Sequence, residues 1–134
     1  PELLKGLKDK DAAVRFWAAT GIGNVGKPSR EATTACLRIL KKEGSTIVRI
    51  AVARALLRTQ TMEKKALTEL SKSLKSPEQW SRLHAAIVLD EANEKARPAL
   101  PALQKALKNQ PNKYIVRVAN KAVNDLLGTD NTVK

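Results

Sequence analysis

Val14-Arg15-Phe16-Trp17-Ala18-Ala19 returns along the chain as Val48-Arg49-Ile50-Ala51-Val52-Ala53, as Ser81-Arg82-Leu83-His84-Ala85-Ala86, and as Val116-Arg117-Val118-Ala119-Asn120-Lys121. The arginines stand 34, 33 and 35 residues apart, and each is followed by an apolar residue. A second column, Leu7, Leu40, Leu74 and Leu107, keeps the same beat at 33, 34 and 33 residues. Two columns in one phase mark an internal repeat, and a period of this length is that of a supersecondary unit stacked on copies of itself.

Between the arginines, apolar residues fall at helical intervals. Leu67, Leu70 and Leu74, and again Leu100, Leu103 and Leu107, take positions i, i+3 and i+7 of a first helix, where the second repeat has Thr33, Cys36 and Leu40. Cys36 is therefore assigned to the core. A short break follows, holding Asp9 and Asp11, Gly44 and Ser45, Ser76-Pro77, or Pro111-Asn112, residues that cap or open a helix. The second helix carries Val14, Ala18, Ala19, Ile22 and Val25 on its core side in the first repeat, and Val48, Val52, Ala53 and Leu56 in the second.

These patterns predict an all-α fold: an α-α superhelix, or α-solenoid, of about four helical hairpins forming a single domain. The hairpins fall at roughly 1–28, 29–61, 62–96 and 97–128, with a tail at 129–134. Asn120, Lys121 and Asn124 stand where earlier repeats carry Ala, Val, Ile or Leu, which suits a terminal cap with nothing stacked beyond it. The first outer helix, Pro1 to Lys8, is a turn or more shorter than Arg30 to Lys41, so the N-terminal end reads as cut from something longer.

Composition fits this class. With 134 residues, 43% of them hydrophobic, the chain can bury a core without staples. Aromatics at 3% make β-sandwich and collagen-like classes poor fits. One cysteine and one histidine, Cys36 and His84, exclude an internal disulfide and a Cys/His metal cluster. No run approaches the roughly 18 apolar residues of a membrane span, and no cofactor is expected. The net charge, 25 − 13 = +12, suits a nucleic acid, a sulfated glycan or an acidic protein face.

Two candidate surfaces follow. Every outer helix carries a basic pair at i, i+3: Lys5 and Lys8, Arg38 and Lys41, Lys72 and Lys75, Lys105 and Lys108, which together predict a ridge along the convex side. The ridge reads as a polyanion track or as cations offsetting helix macrodipoles by ~0.3–1 kcal/mol each, and it lacks the aromatics on which bases stack. On the inner helices, positions one, two, five and nine after each arginine are assigned to the concave side. They are Phe16, Trp17, Thr20 and Asn24; Ile50, Ala51, Arg54 and Arg58; Leu83, His84, Ile87 and Glu91; Val118, Ala119, Ala122 and Leu126. So apolar a set is either half-buried by tight curvature or docks a protein surface. In the second case Phe16 and Trp17 are the anchors, with Ile50, Arg54, Leu83, His84, Ile87 and Val118 around them.

Other motifs have structural readings. The recurring arginines lie near Asp11, Glu43, Glu78 or the preceding loop, so ion pairs or loop-carbonyl bonds are expected of them. Gly21-Ile22-Gly23-Asn24-Val25-Gly26 matches G-x-G-x-x-G, but a dinucleotide site needs a strand before it, and here a helix runs in and Lys27-Pro28 follows. Gly26 then ends a helix, and Gly21 and Gly23 allow close packing. Trp80 and Tyr114 are assigned to loop packing. His84 has no nucleophile at catalytic spacing, and Asp90 and Glu91 point ~100° apart on a helix, so no catalytic residue is assigned.

The repeated Val-Arg, the Ala-Ala pair and the later Gly resemble HEAT-like repeats over essentially the whole chain. Val14 to Ala19, Trp80 to Ala86 with Leu89-Asp90, Ala96-Arg97-Pro98-Ala99-Leu100-Pro101-Ala102-Leu103, and Lys113 to Asn120 are similar to the C-terminal HEAT-like region of certain bacterial sulfatases. That resemblance implies a non-catalytic domain of a periplasmic or extracellular protein, docked through its apolar concavity on its own catalytic domain or another subunit. The sulfatase Cys- or Ser-x-Pro-x-Arg motif is absent at Cys36-Leu37-Arg38-Ile39-Leu40, so no active-site residue carries over.

Overall fold

The computed structural model describes residues 2–27 and 29–133. Pro1, Pro28 and Lys134, on which the edges of the first helix, the loop after Gly26 and the tail were expected to fall, lie outside them. All regular structure among the described residues is helical. The chain divides into two compact units, Pro1–Ala66 and Leu67–Lys134.

The first unit holds α1 (Glu2–Gly6), α2 (Ala12–Val25), α3 (Arg30–Lys42) and α4 (Thr46–Arg58). Asp11, Ser29 and Ser45 cap α2, α3 and α4, their side chains accepting from the N–H groups of Ala13, Ala32 and Val48. Each cap satisfies a donor that the first turn leaves without a helical partner. Gly26 ends α2 in the left-handed region at φ +70°, donating its N–H to the Ile22 carbonyl.

The core of this unit is α4. Val48, Ile50, Ala51, Val52, Ala53, Ala55, Leu56 and Leu57 are all buried, because α4 packs against both α2 and α3. Small residues set the distance. A Cβ on Gly23 would lie 2.8 Å from Arg54 Nη1 and 3.3 Å from Ala55 Cα, so α2 meets α4 there nearly backbone to backbone. A Cβ on Gly6 would come within 2.9 Å of Ala18 Cβ, which fixes α1 on α2 in the same way. Cys36 is 1% exposed, and burial pushes its thiol up to about 11, so it is protonated at neutral pH.

The second unit contains most of α5 (Glu63–Ser73), then α6 (Gln79–Ala92), a 3-10 segment (Asn93–Ala99), α7 (Leu100–Ala106) and α8 (Lys113–Leu127). Its interior is built from Leu67, Leu70 and Leu74, from Ala85, Ala86 and Leu89, from Leu103, and from Ile115, Ala119 and Val123. Pro98 lies within the 3-10 segment and brings no N–H, so the outer element of the fourth repeat is split where earlier ones are single helices. The polar side of α8 holds the tail. Asn120 and Asn124 both donate to the Asn131 carbonyl, at 2.9 and 2.8 Å, and Asn124 Oδ1 accepts from Asn131 N and Thr129 Oγ1.

Three expectations are corrected. Burial in α8 follows α6 at 34 residues: Ser81, Ala85, Val88 and Leu89 are buried, as are Ile115, Ala119, Ala122 and Val123. Val116 therefore holds the position of Arg82, and Arg117 is one residue out of the arginine column, lying 6.0 Å over the Tyr114 ring. Val14 and Val25, assigned to the core, are 39% and 59% exposed. Only α1, five residues long, is available to cover that side of α2 within the unit. Trp80 and Tyr114 do not pack away against loops; they are 57% and 68% exposed.

Gly23 gives up about 1 kcal/mol of helix propensity relative to Ala and returns it in packing. Gly23→Val, which must push Ala55 and Arg54 aside, is expected to lower the unfolding free energy by about 1–3 kcal/mol, measured by urea denaturation.

Candidate functional site

The polar side chains of the inner helices hold the repeats together. Arg15 Nε and Nη2 donate to Glu43 Oε2 and Oε1 at 2.7 and 2.9 Å, while Nη1 donates to the carbonyls of Asp9 and Lys10. One guanidinium thus ties the loop before α2 to the loop before α4. Glu43 is only 6% exposed, and its carboxyl is held below its ordinary value by the bidentate Arg15 bond and by the Ser45 N–H. Arg49 donates to the carbonyls of Leu40 and Glu43, and Arg82 to those of Ser76 and Pro77. The loop-carbonyl role expected of the column thus holds for these three.

Arg54 and Arg58 reach from α4 to the end of α2. Arg54 donates to Asn24 Oδ1 at 2.8 Å and Thr20 O at 3.4 Å, and Arg58 Nε to Gly23 O at 2.8 Å. Arg54, expected on a docking face, is a half-buried clamp between helices.

The concave set is split by the structure. Ile50 is 2% exposed and is withdrawn as a contact residue, because α4 has helices on two sides; Ala51, Ala119, Ala122 and Leu126 are buried as well. Phe16, Leu83, His84 and Val118 are half-buried. Trp17 and Ile87 are exposed, at 66% and 39%. Phe16 and Trp17 form one aromatic edge, their rings 5.1 Å apart and nearly perpendicular. All eight residues of the basic pairs, Lys5, Lys8, Arg38, Lys41, Lys72, Lys75, Lys105 and Lys108, are exposed. Among the described residues no three His, Cys, Asp or Glu side chains gather as metal ligands, and no helix is long and apolar enough to cross a membrane.

One surface was missed. Val14, Trp17, Gly21 and Val25 lie at i, i+3, i+7 and i+11 and so share one side of α2. The matching residues of α4, 34 positions on, are Val48, Ala51, Ala55 and Thr59, with exposures of 1, 3, 1 and 4%. In α4 this side faces α2, with Ala55 against Gly23. On α2 the same side meets α1, where Leu3 Cδ2 would lie 2.7 Å from a Cβ on Gly21. Trp17 is thus exposed on a side that is buried in α4, and the clue in the sequence is a Trp where the second and fourth repeats have Ala.

Comparison with known proteins agrees with this architecture. The family model of HEAT repeats matches residues 1–90, and the chain belongs to that family. Among solved structures it is similar to an engineered protein, Northeast Structural Genomics Consortium target OR329, at 19% identity and a TM-score of 0.63. The alignment covers 96% of this chain and 62% of that one, and it establishes the fold alone. No curated protein matches the sequence. Neither the family match nor the structural neighbour connects the chain to sulfatases.

Two measurements follow. Above its ordinary value of 4.5, Glu43 adds the full stability of its bridge to Arg15, and that stability is lost as pH falls through the lower folded-state value. The unfolding free energy of the native chain should therefore drop more steeply on acidification than that of Glu43→Gln. Arg82 Nε is buried without a hydrogen-bond partner among the described residues. Glu43 lies 28 residues after Arg15, and 28 residues after Arg82 stands Gln110. Gln110→Glu is expected to supply the missing acceptor and to raise stability by ~1 kcal/mol, read from the urea midpoint.

Proposed function

We propose that this chain is a non-catalytic helical-repeat scaffold that binds protein through the uncovered side of α2, and that the occupant is a further helical hairpin stacked as α4 stacks on the other side. One observation carries the reading: Val14, Trp17 and Val25 are exposed on α2, whereas their counterparts on α4, Val48, Ala51 and Thr59, are buried. Leaving so much apolar surface in water forgoes roughly 25 cal/mol for each Å² that a partner could cover. Helical side chains that could have served chemistry are occupied otherwise, since Arg15, Arg49, Arg54, Arg58 and Arg82 hold loops and helix ends. The similarity of sequence segments to sulfatase C-terminal regions would make the occupant part of the same enzyme; the docking proposal does not depend on it.

The test is a fusion that places a second copy of residues 29–61 before Glu2, in a Trp80→Phe background so that Trp17 is the reporter. Stacking should shift the Trp17 emission to the blue and raise the melting temperature, and Trp17→Asp should abolish both effects. An unchanged spectrum with the added hairpin folded would reject the docking face.

A further inference from the structure

On the other flank of the first unit, a groove runs between α1 and α3. It consists of two adjoining cavities of about 430 and 410 Å³ that share Lys8, Ala35 and Arg38. The groove exists because α1 has five residues and α3 thirteen, so much of α3 has no neighbour there. Its floor is apolar: Leu4, Leu7, Ala35 and Ile39. Its rim is basic, with Lys8, Arg30, Arg38 and Lys42, none of which makes an ion pair among the described residues. Two carboxylates line it. Glu43 is already neutralised by Arg15, which leaves Glu31 against four cations.

We infer that this groove binds an acidic amphipathic helix of a partner protein. Charge complementarity selects the acidic side: four uncompensated cations around one free carboxylate repel a basic segment and steer an acidic one. The floor selects a peptide over a nucleic acid, because it offers aliphatic contacts and no aromatic ring on which a base could stack. The length selects a helix. From Arg30 to Lys42 the groove follows α3 for about 18 Å, at 1.5 Å per residue, which accepts three turns presenting Leu-type residues at i, i+3 and i+7. This is a different surface from the open side of α2, and it uses different residues, so either proposal can fail alone.

The probe is a fluorescein-labelled synthetic helix about two heptads long, with leucines along one side and glutamates on the others. It is titrated into the full chain and followed by anisotropy. A scrambled peptide of the same composition and heparin serve as comparisons. Binding is expected to weaken roughly tenfold or more in the exposed double variant Lys8→Glu/Arg38→Glu and for the scrambled peptide. Ala35→Trp, which fills the floor without changing charge, should weaken it similarly, with Lys42→Glu read in its place if that variant loses helicity. Trp17→Asp should leave binding unchanged. The inference is overturned if the helix does not bind, if the scrambled peptide binds equally well, if heparin alone is sensitive to the Lys8/Arg38 reversal, or if Trp17→Asp removes binding.

Discussion

The approach of α2 to α4 at Gly23 and Ala55 is the constraint on which the first unit rests. A backbone contact this close brings the last carbonyls of α2 within reach of α4, and two arginines use it. Arg58 takes the Gly23 carbonyl, one of those a helix end leaves without an N–H partner, and Arg54 takes Asn24 and the Thr20 carbonyl. A guanidinium at a helix C-terminus also meets the negative end of the macrodipole. At the other end of the same helix pair, Arg15 binds the loop before α2 and the loop before α4 at once. Small residues thus set the spacing, and arginines at both ends fix the register.

The same economy explains why α2 and α8 differ. The side of α8 that carries Asn120 and Asn124 is polar and is satisfied by the tail, whose Asn131 supplies both a carbonyl and an N–H. The side of α2 that carries Val14, Trp17 and Val25 is apolar, and the five-residue α1 leaves these three side chains exposed. On α8 the polar groups are satisfied by the tail. On α2 the apolar side chains are left exposed, and the difference is written in residue type.

Much of the fold was legible because it depends on local chemistry. Period, cap residues, the core place of Cys36 and the carbonyl-binding arginines all follow from spacing and from what each side chain can satisfy. The register of the last helix was not, since Val116-Arg117 imitates the earlier Val-Arg pairs while burial places Val116 in the arginine's position. The surface was legible only in part. A helical wheel gives the angle of each residue but not which angles acquire a neighbour: Ile50 and Phe16 share a column, and one is sealed by helices on two sides while the other is half open. Val14 and Val25 fail for the converse reason, being apolar at stacking angles against a helix too short to cover them.

Charge separates the cations by task. Those on the inner helices of the first unit sit on carbonyls and on Glu43, and their charge is spent within the fold. Those lining α1 and α3 remain in solvent around an apolar floor. Four of the 25 cations thus stand around aliphatic surface that is also open, with Glu31 as the one carboxylate not paired to an arginine there. Attraction at the rim is screened within a Debye length of about 8 Å at physiological salt, whereas Val14, Trp17 and Val25 on α2 carry no charge, so docking there would rest on burial. The two proposed surfaces are therefore expected to differ in their response to ionic strength, with binding at the groove the one that weakens as salt rises.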